Sequence, residues 1–212
     1  MSVDVAAALA GTTTLAALLA GARGNLTDLL GQVPAPELCL VTDRRYVRGE
    51  QVDPGRRLDP TELAATRIGD PIPGSSATQA GSVHYEIEVP ATGDGVWLMV
   101  IEYPTWPDGD RAEDGDRAED DDRIHAVFSP YRTCVGVVLA TALALAAAEL
   151  TGGRFVDEEI GMLRPGPTDP RRFVAATRLG PAPDADFAAC CERYLRQFPT
   201  LGGWPRTRSM MH

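Results

Sequence analysis

His84, Glu86 and Glu88 stand at alternate positions of the run Val83-His84-Tyr85-Glu86-Ile87-Glu88-Val89. A strand has a side-chain period of two, so all three share one face. His125 falls in a second strand-like segment, Ile124 to Phe128, and Asp157 and Glu159 share a face of a third, Arg154 to Ile160. Imidazole and carboxylate groups ligate divalent metals and carry protons near neutral pH. Brought into one cleft, His84, Glu86, His125, Asp157 and Glu159 would form the site of a metal-dependent or His/carboxylate hydrolase. Kept apart, they are the ordinary polar residues of a solvated sheet face. No HExxH or HxH spacing joins them, and the sequence predicts neither a metal nor a cofactor.

Other chemistries are excluded more firmly. All 20 basic residues are arginine, and the chain has no lysine. A P-loop nucleotide site, a protein kinase, Schiff-base catalysis and pyridoxal phosphate chemistry each need a lysine amine. The all-arginine usage, with 21 glycines and 17 prolines, is that of a GC-rich coding sequence and points to a bacterial source. No GxSxG elbow occurs. Gly93 and Gly95 are not followed by a third glycine, because residue 98 is leucine, so the dinucleotide fingerprint is absent. Cys134 lies inside an apolar helical run, five residues after the Ser129 expected to cap it. A helix terminus acts only over its first turn, so core packing is the expected role of this thiol.

Cys39, Cys134, Cys190 and Cys191 form no CxxC pair, and vicinal cysteines seldom bond to each other. The expectation is a cytoplasmic protein with reduced thiols. The first 22 residues lack the basic start of a signal peptide: Asp4 precedes the apolar run, and Gly11 and three threonines interrupt it.

The 212 residues carry a net charge of −10, of which residues 108–123 contribute −6 through nine acids and three arginines. This segment contains a perfect tandem repeat, GDRAED-GDRAED. Its composition cannot bury enough apolar surface to fold alone, which predicts an exposed acidic loop. Read as a calcium loop it fails, with Ala112 at a ligand position and Asp121 in place of the bidentate glutamate. An acidic chain repels phosphates, so no nucleic-acid partner is expected. The pairs Arg44–Arg45, Arg56–Arg57 and Arg171–Arg172 have acids close by in sequence and read as surface ion pairs.

The positioning elements follow from pattern. Residues 14–30 read as two short helices, the first ended by Gly21 and the second capped by Asn25. Residues 37–47 read as a strand, and Asp59-Pro60 opens a short helix. The strand through His84 should form a hairpin with Val96–Ile101, which is apolar throughout, places Trp97 and Met99 in the core, and reads as covered on both faces. A third strand, 124–128, leads into an uncharged helix expected from Ser129-Pro130 to about Leu150. It is rich in alanine and shorter than the ~20 apolar residues of a membrane span, so it reads as a buried helix. A strand at 154–160 and helices opening at Asp169-Pro170 and Asp184 complete the chain. On the last helix Phe187, Cys190, Cys191, Tyr194, Leu195 and Phe198 share a face.

The expected fold is therefore α+β. A mainly antiparallel sheet with a β-β-β-α-β core, ferredoxin-like in layout, carries helices on one face, and short helices precede it. Residues 1–82 form an N-terminal portion packed on the 83–212 core. Trp106 and Trp204 lie in loop sequence, where an aromatic either anchors a partner or staples a loop. Together with Glu86 and Glu88 they are the candidate binding residues. The functional expectation is a non-enzymatic, cytoplasmic protein-binding module of the immunity, inhibitor or chaperone type. Its partner would be basic, and self-association is a further expectation for its apolar helix faces. The His/carboxylate hydrolase is the alternative.

Overall fold

A computed structural model describes residues 4–48, 50–72, 78–79, 82–102, 124–157, 160–163, 166, 168–182 and 184–201. Alternation in the sequence becomes a sheet in which every pairing is antiparallel. The strands are β1 (Val5–Ala8), β2 (Cys39–Thr42), β3 (Arg45–Val47), β4 (Glu50–Asp53), β5 (Arg56–Arg57), β6 (Thr78–Gln79), β7 (Ser82–Val89), β8 (Asp94–Glu102), β9 (Ile124–Pro130) and β10 (Arg154–Val156). The helices are α1 (Leu15–Leu29), α2 (Pro60–Ala65), α3 (Cys134–Thr151), α4 (Pro170–Thr177) and α5 (Phe187–Arg196). Seven strands run in the order β10-β1-β9-β8-β7-β2-β5, with β6 also paired to β7. β3 and β4 form a separate hairpin. This is an α+β protein.

β7 and β8 form the expected hairpin. Tyr85, Ile87 and Val89 are buried, and they pair with Leu98, Val96 and Asp94 across the ladder. β8 does not follow its expectation of cover on both faces. Val96 and Leu98 are buried, whereas Trp97 is 37% exposed and Met99 is half-buried. Leu98 pairs with Tyr85 and Phe128, while Trp97 pairs with Glu86 and Ser129. The pleat sorts side chains by parity whatever their composition, so a uniformly apolar strand still sends every second residue to the other side.

The N-terminal reading is corrected at two points. Val5–Ala8, ahead of the expected helices, is a strand between β9 and β10. Alanine has little strand propensity, but a slot with a partner on each side overrides it. Residues 15–29 then form one helix, not two, capped by the Thr14 side chain. Gly21 does not end it. A Cβ at Gly21 would stand 3.2 Å from the Cβ of Ala146, so this glycine lets α1 approach α3. Asn25, expected as a cap, donates instead to the Ala142 carbonyl at 3.2 Å.

The buried helix also starts later than expected. Ser129 and Pro130 remain in β9, and Thr133 caps α3, its hydroxyl accepting from the Gly136 N–H at 3.0 Å. Gly152, at φ +72°, ends it. Every residue from Cys134 to Ala148 is buried. α3 packs on β1, β8, β9 and β10 and against α1, α4 and α5, which is why it shows no polar face. It is long and apolar enough to cross a membrane by length and composition, with 89% of that stretch buried inside the fold.

Three smaller boundaries differ. The strand expected at 37–47 breaks at Asp43, whose φ is +58°, giving β2 and β3. β10 ends at Val156 because the Asp157 carboxylate turns the chain, accepting from the N–H groups of Gly161 and Met162. Asp186 caps α5, not Asp184. Of the apolar face expected on α5, Cys190, Cys191, Tyr194, Leu195 and Phe198 are buried and Phe187 is half-buried.

A buried carboxylate cluster as the candidate functional site

Glu86 and Glu88 lie on the β7 face opposite Tyr85 and Ile87. The ladder sets Glu86 beside Val41 of β2 and Trp97 of β8, and sets Glu88 beside Cys39 and Gly95. The face is not wet at Glu86, whose exposure is only 2%. Arg44 and Tyr131 account for this cover.

Arg44 belongs to the irregular link between β2 and β3. Its Nη1 donates to the Oε1 atoms of both Glu88 and Glu86, the latter at 3.0 Å. Its Nε donates to the Pro54 carbonyl at 3.2 Å, which ties the base of the β3–β4 hairpin to the same point. The Tyr131 hydroxyl, between β9 and α3, donates to Glu86 Oε1. Tyr131 is held there by its own N–H, which donates to the Gly95 carbonyl at 2.9 Å. A side chain at residue 95 would crowd its ring, since a Cβ there would lie 3.3 Å from the ring edge. Cys39 Sγ stands 3.9 Å from Glu88 Oε2.

Glu86 therefore carries two donors on one oxygen and, among the described residues, none on the other, its buried Oε2. Burial raises the Glu86 carboxyl above the usual carboxylate range; the Arg44 guanidinium opposes the rise and Glu88 adds to it. Burial likewise raises the Cys39 thiol, against the pull of Arg57. A raised carboxyl is suited to holding a proton or receiving a cationic donor. It is poorly suited to acting as an unassisted anion.

The remaining expected residues are spread over the sheet. His84, described by its backbone alone, is registered with Met99, and His125 with Ile101 and Ala8. The two histidine strands flank β8, which separates them by roughly 10 Å across the sheet. Asp157 lies beyond β10, on the far side of β1, and its carboxylate is engaged in its own turn. Among the described residues no group of three or more His, Cys, Asp and Glu side chains is placed to hold a metal ion. Glu159, Trp106, Trp204 and the acidic segment 108–123 lie outside the described residues.

Cys134 is the first residue of α3, closer to the helix terminus than the sequence predicts, yet burial still raises its thiol pKa. The expectation of a packed, unactivated cysteine stands on the same physics. Sequence reasoning did not find Arg44 or Tyr131. They lie 44 and 45 residues from the carboxylates they contact, and only the β2–β7 pairing and the turn after β9 close those distances. The one sequence signal was Asp43 next to Arg44, and it pointed to a local ion pair.

No family model, curated protein or solved structure matches this chain.

Proposed function

We propose that this chain is a cytoplasmic protein-binding module that engages a basic partner through the sheet face bearing Trp97. The supporting observation is the setting of Trp97. It is a large aromatic, 37% exposed, near the middle of a seven-strand path and paired across the ladder with Glu86. Met99, Ile101 and Val127, all half-buried, share its face. The exposed indole suits a partner's guanidinium or ammonium group, which stacks on the ring. The net charge of −10 steers such a partner toward the surface. An immunity protein, an inhibitor or a chaperone with a basic client is the concrete form of this reading. For the finer fold we read β10-β1-β9-β8 with α1 and α3 as a ferredoxin-like unit with its helices on one face, extended at the β8 side by β7, β2 and β5. The supporting feature is the crossover from β9 through α3 to β10, which passes β1.

The test compares wild type with Trp97→Ser by affinity capture from the source cell's lysate across a salt series. The expected result is one dominant basic protein, released by salt, captured by wild type and lost by Trp97→Ser at unchanged circular dichroism. Capture unaffected by the substitution would overturn the reading. A His/carboxylate hydrolase is a second reading, favoured by the raised carboxyl of Glu86 alone. It needs His84 or His125 to reach that carboxyl, and hydrolytic activity that survives Glu86→Gln would remove it.

A further inference from the structure

We infer that Glu86 and Glu88 form a receptor for an external guanidinium group, which Arg44 fills in the free chain. The inference deepens the binding reading above and rests on it. Arg44 and Glu88 keep 11% and 17% side-chain exposure, so the pair sits at the rim of the covered face. One guanidinium serves two carboxylates there. Among the described residues Glu86 Oε2 is left without a donor, and it is buried. A buried acceptor without a donor loses its hydration with nothing in return, and more so when charged, so the cluster has an uncompensated demand for N–H groups. Guanidinium meets that demand with five donors in a planar fork, whereas an ammonium group presents a point charge.

Arg44 reaches the carboxylates from a link, not from a ladder position. That link begins at Asp43 with φ +58°, and the hairpin it leads into returns through Gly55 at φ +70°. The two ends lie against each other, since a Cβ at Gly55 would meet the Thr42 carbonyl oxygen at 2.4 Å. A partner arginine laid over Trp97 arrives next to Glu86, because residues 86 and 97 are ladder partners. The cluster therefore selects arginine-bearing partners over lysine-bearing ones.

Chemical rescue tests this without the natural partner. Arg44→Ala empties the receptor and lowers Tm. Methylguanidinium at millimolar concentration, against sodium chloride at equal ionic strength, is expected to raise the Tm of Arg44→Ala along a saturating curve. It is expected to leave Arg44→Ala/Glu86→Gln/Glu88→Gln on the salt control. No rise above that control in Arg44→Ala would overturn the inference. Should Arg44→Ala fail to fold, wild type is titrated with tetra-arginine and tetra-lysine amides at low salt, followed by tryptophan fluorescence. Tighter binding of the arginine peptide, lost in Glu86→Gln/Glu88→Gln, supports the receptor. Equal binding of both peptides, or binding unchanged by the double substitution, overturns it. Failed rescue with Trp97-dependent capture intact removes the guanidinium receptor and leaves the binding module standing. Loss of Trp97 dependence removes the module itself.

Discussion

The hydroxyl of Tyr131 donates to Glu86 Oε1 across 45 residues of sequence, joining the turn before α3 to the middle of β7. The bond fastens the helix entry to the sheet and supplies one of the two donors on a buried acid. Tyr131→Phe keeps the ring against Gly95 and removes only that donor. The expected loss is about 1–3 kcal/mol, the cost of leaving a buried acceptor short of a partner. Urea denaturation of the two proteins measures it, and equal midpoints would show that the bond contributes nothing net.

Glu86 also sets a pH dependence of unusual sign for a glutamate. Its folded-state pKa is raised, with burial the leading cause, so the folded chain holds the proton more tightly than the unfolded chain. Stability from this group is fully present below the unfolded value of about 4.3. It is lost as pH rises through the raised folded value. Glu86→Gln removes the ionisation. In the window above the unfolded value, Tm of wild type should fall with pH relative to Tm of Glu86→Gln, and the difference should level off above the folded pKa. A wild-type Tm that rises relative to the variant over that window would contradict the assignment.

The cap of α3 separates two readings of one sequence stretch. Ser129-Pro130 has the form of a helix start, but both residues pair with β8. Thr133 takes the cap, and its hydroxyl also meets Asp94 Oδ1 at 2.6 Å. Thr133→Ala should therefore cost about 1–2 kcal/mol, while Ser129→Ala should fall within about 0.5 kcal/mol of wild type. Thermal denaturation of the two variants decides between the sites.

What the sequence made legible was periodic. The alternation of β7, the uncharged run of α3 and the Asp-Pro starts of α2 and α4 all carry a signal within a few residues. The slot occupied by β1 carries none, because four small residues have neither period and their strand state comes from β9 and β10 on either side. Gly21 misleads for a related reason. Glycine looks like a stop in one dimension, and only the approach of Ala146 shows that position 21 needs the missing side chain. The carboxylate cluster was half legible. Parity put Glu86 and Glu88 on one face, but the burial of Glu86 depends on Arg44 and Tyr131, which arrive through tertiary contacts.

Two glycines turn that last point into opposite expected signs. Gly24 sits in the exposed part of α1 with nothing within 4 Å of an added Cβ. Gly24→Ala should stabilise the protein by about 0.5–1 kcal/mol, by raising helix propensity and reducing the freedom of the unfolded chain. Gly153 follows α3, where a Cβ would stand 1.9 Å from the Ala8 carbonyl oxygen and 3.2 Å from the Ala10 nitrogen. Both neighbours are backbone and cannot rotate away, so Gly153→Ala must push β1 off β10. The expected cost is ~3 kcal/mol or more, read as a lowered Tm together with faster amide exchange in residues 5–8. A Gly153→Ala protein as stable as wild type would mean that β1 does not lie against the start of β10. The seven-strand order would then lose its β10 edge.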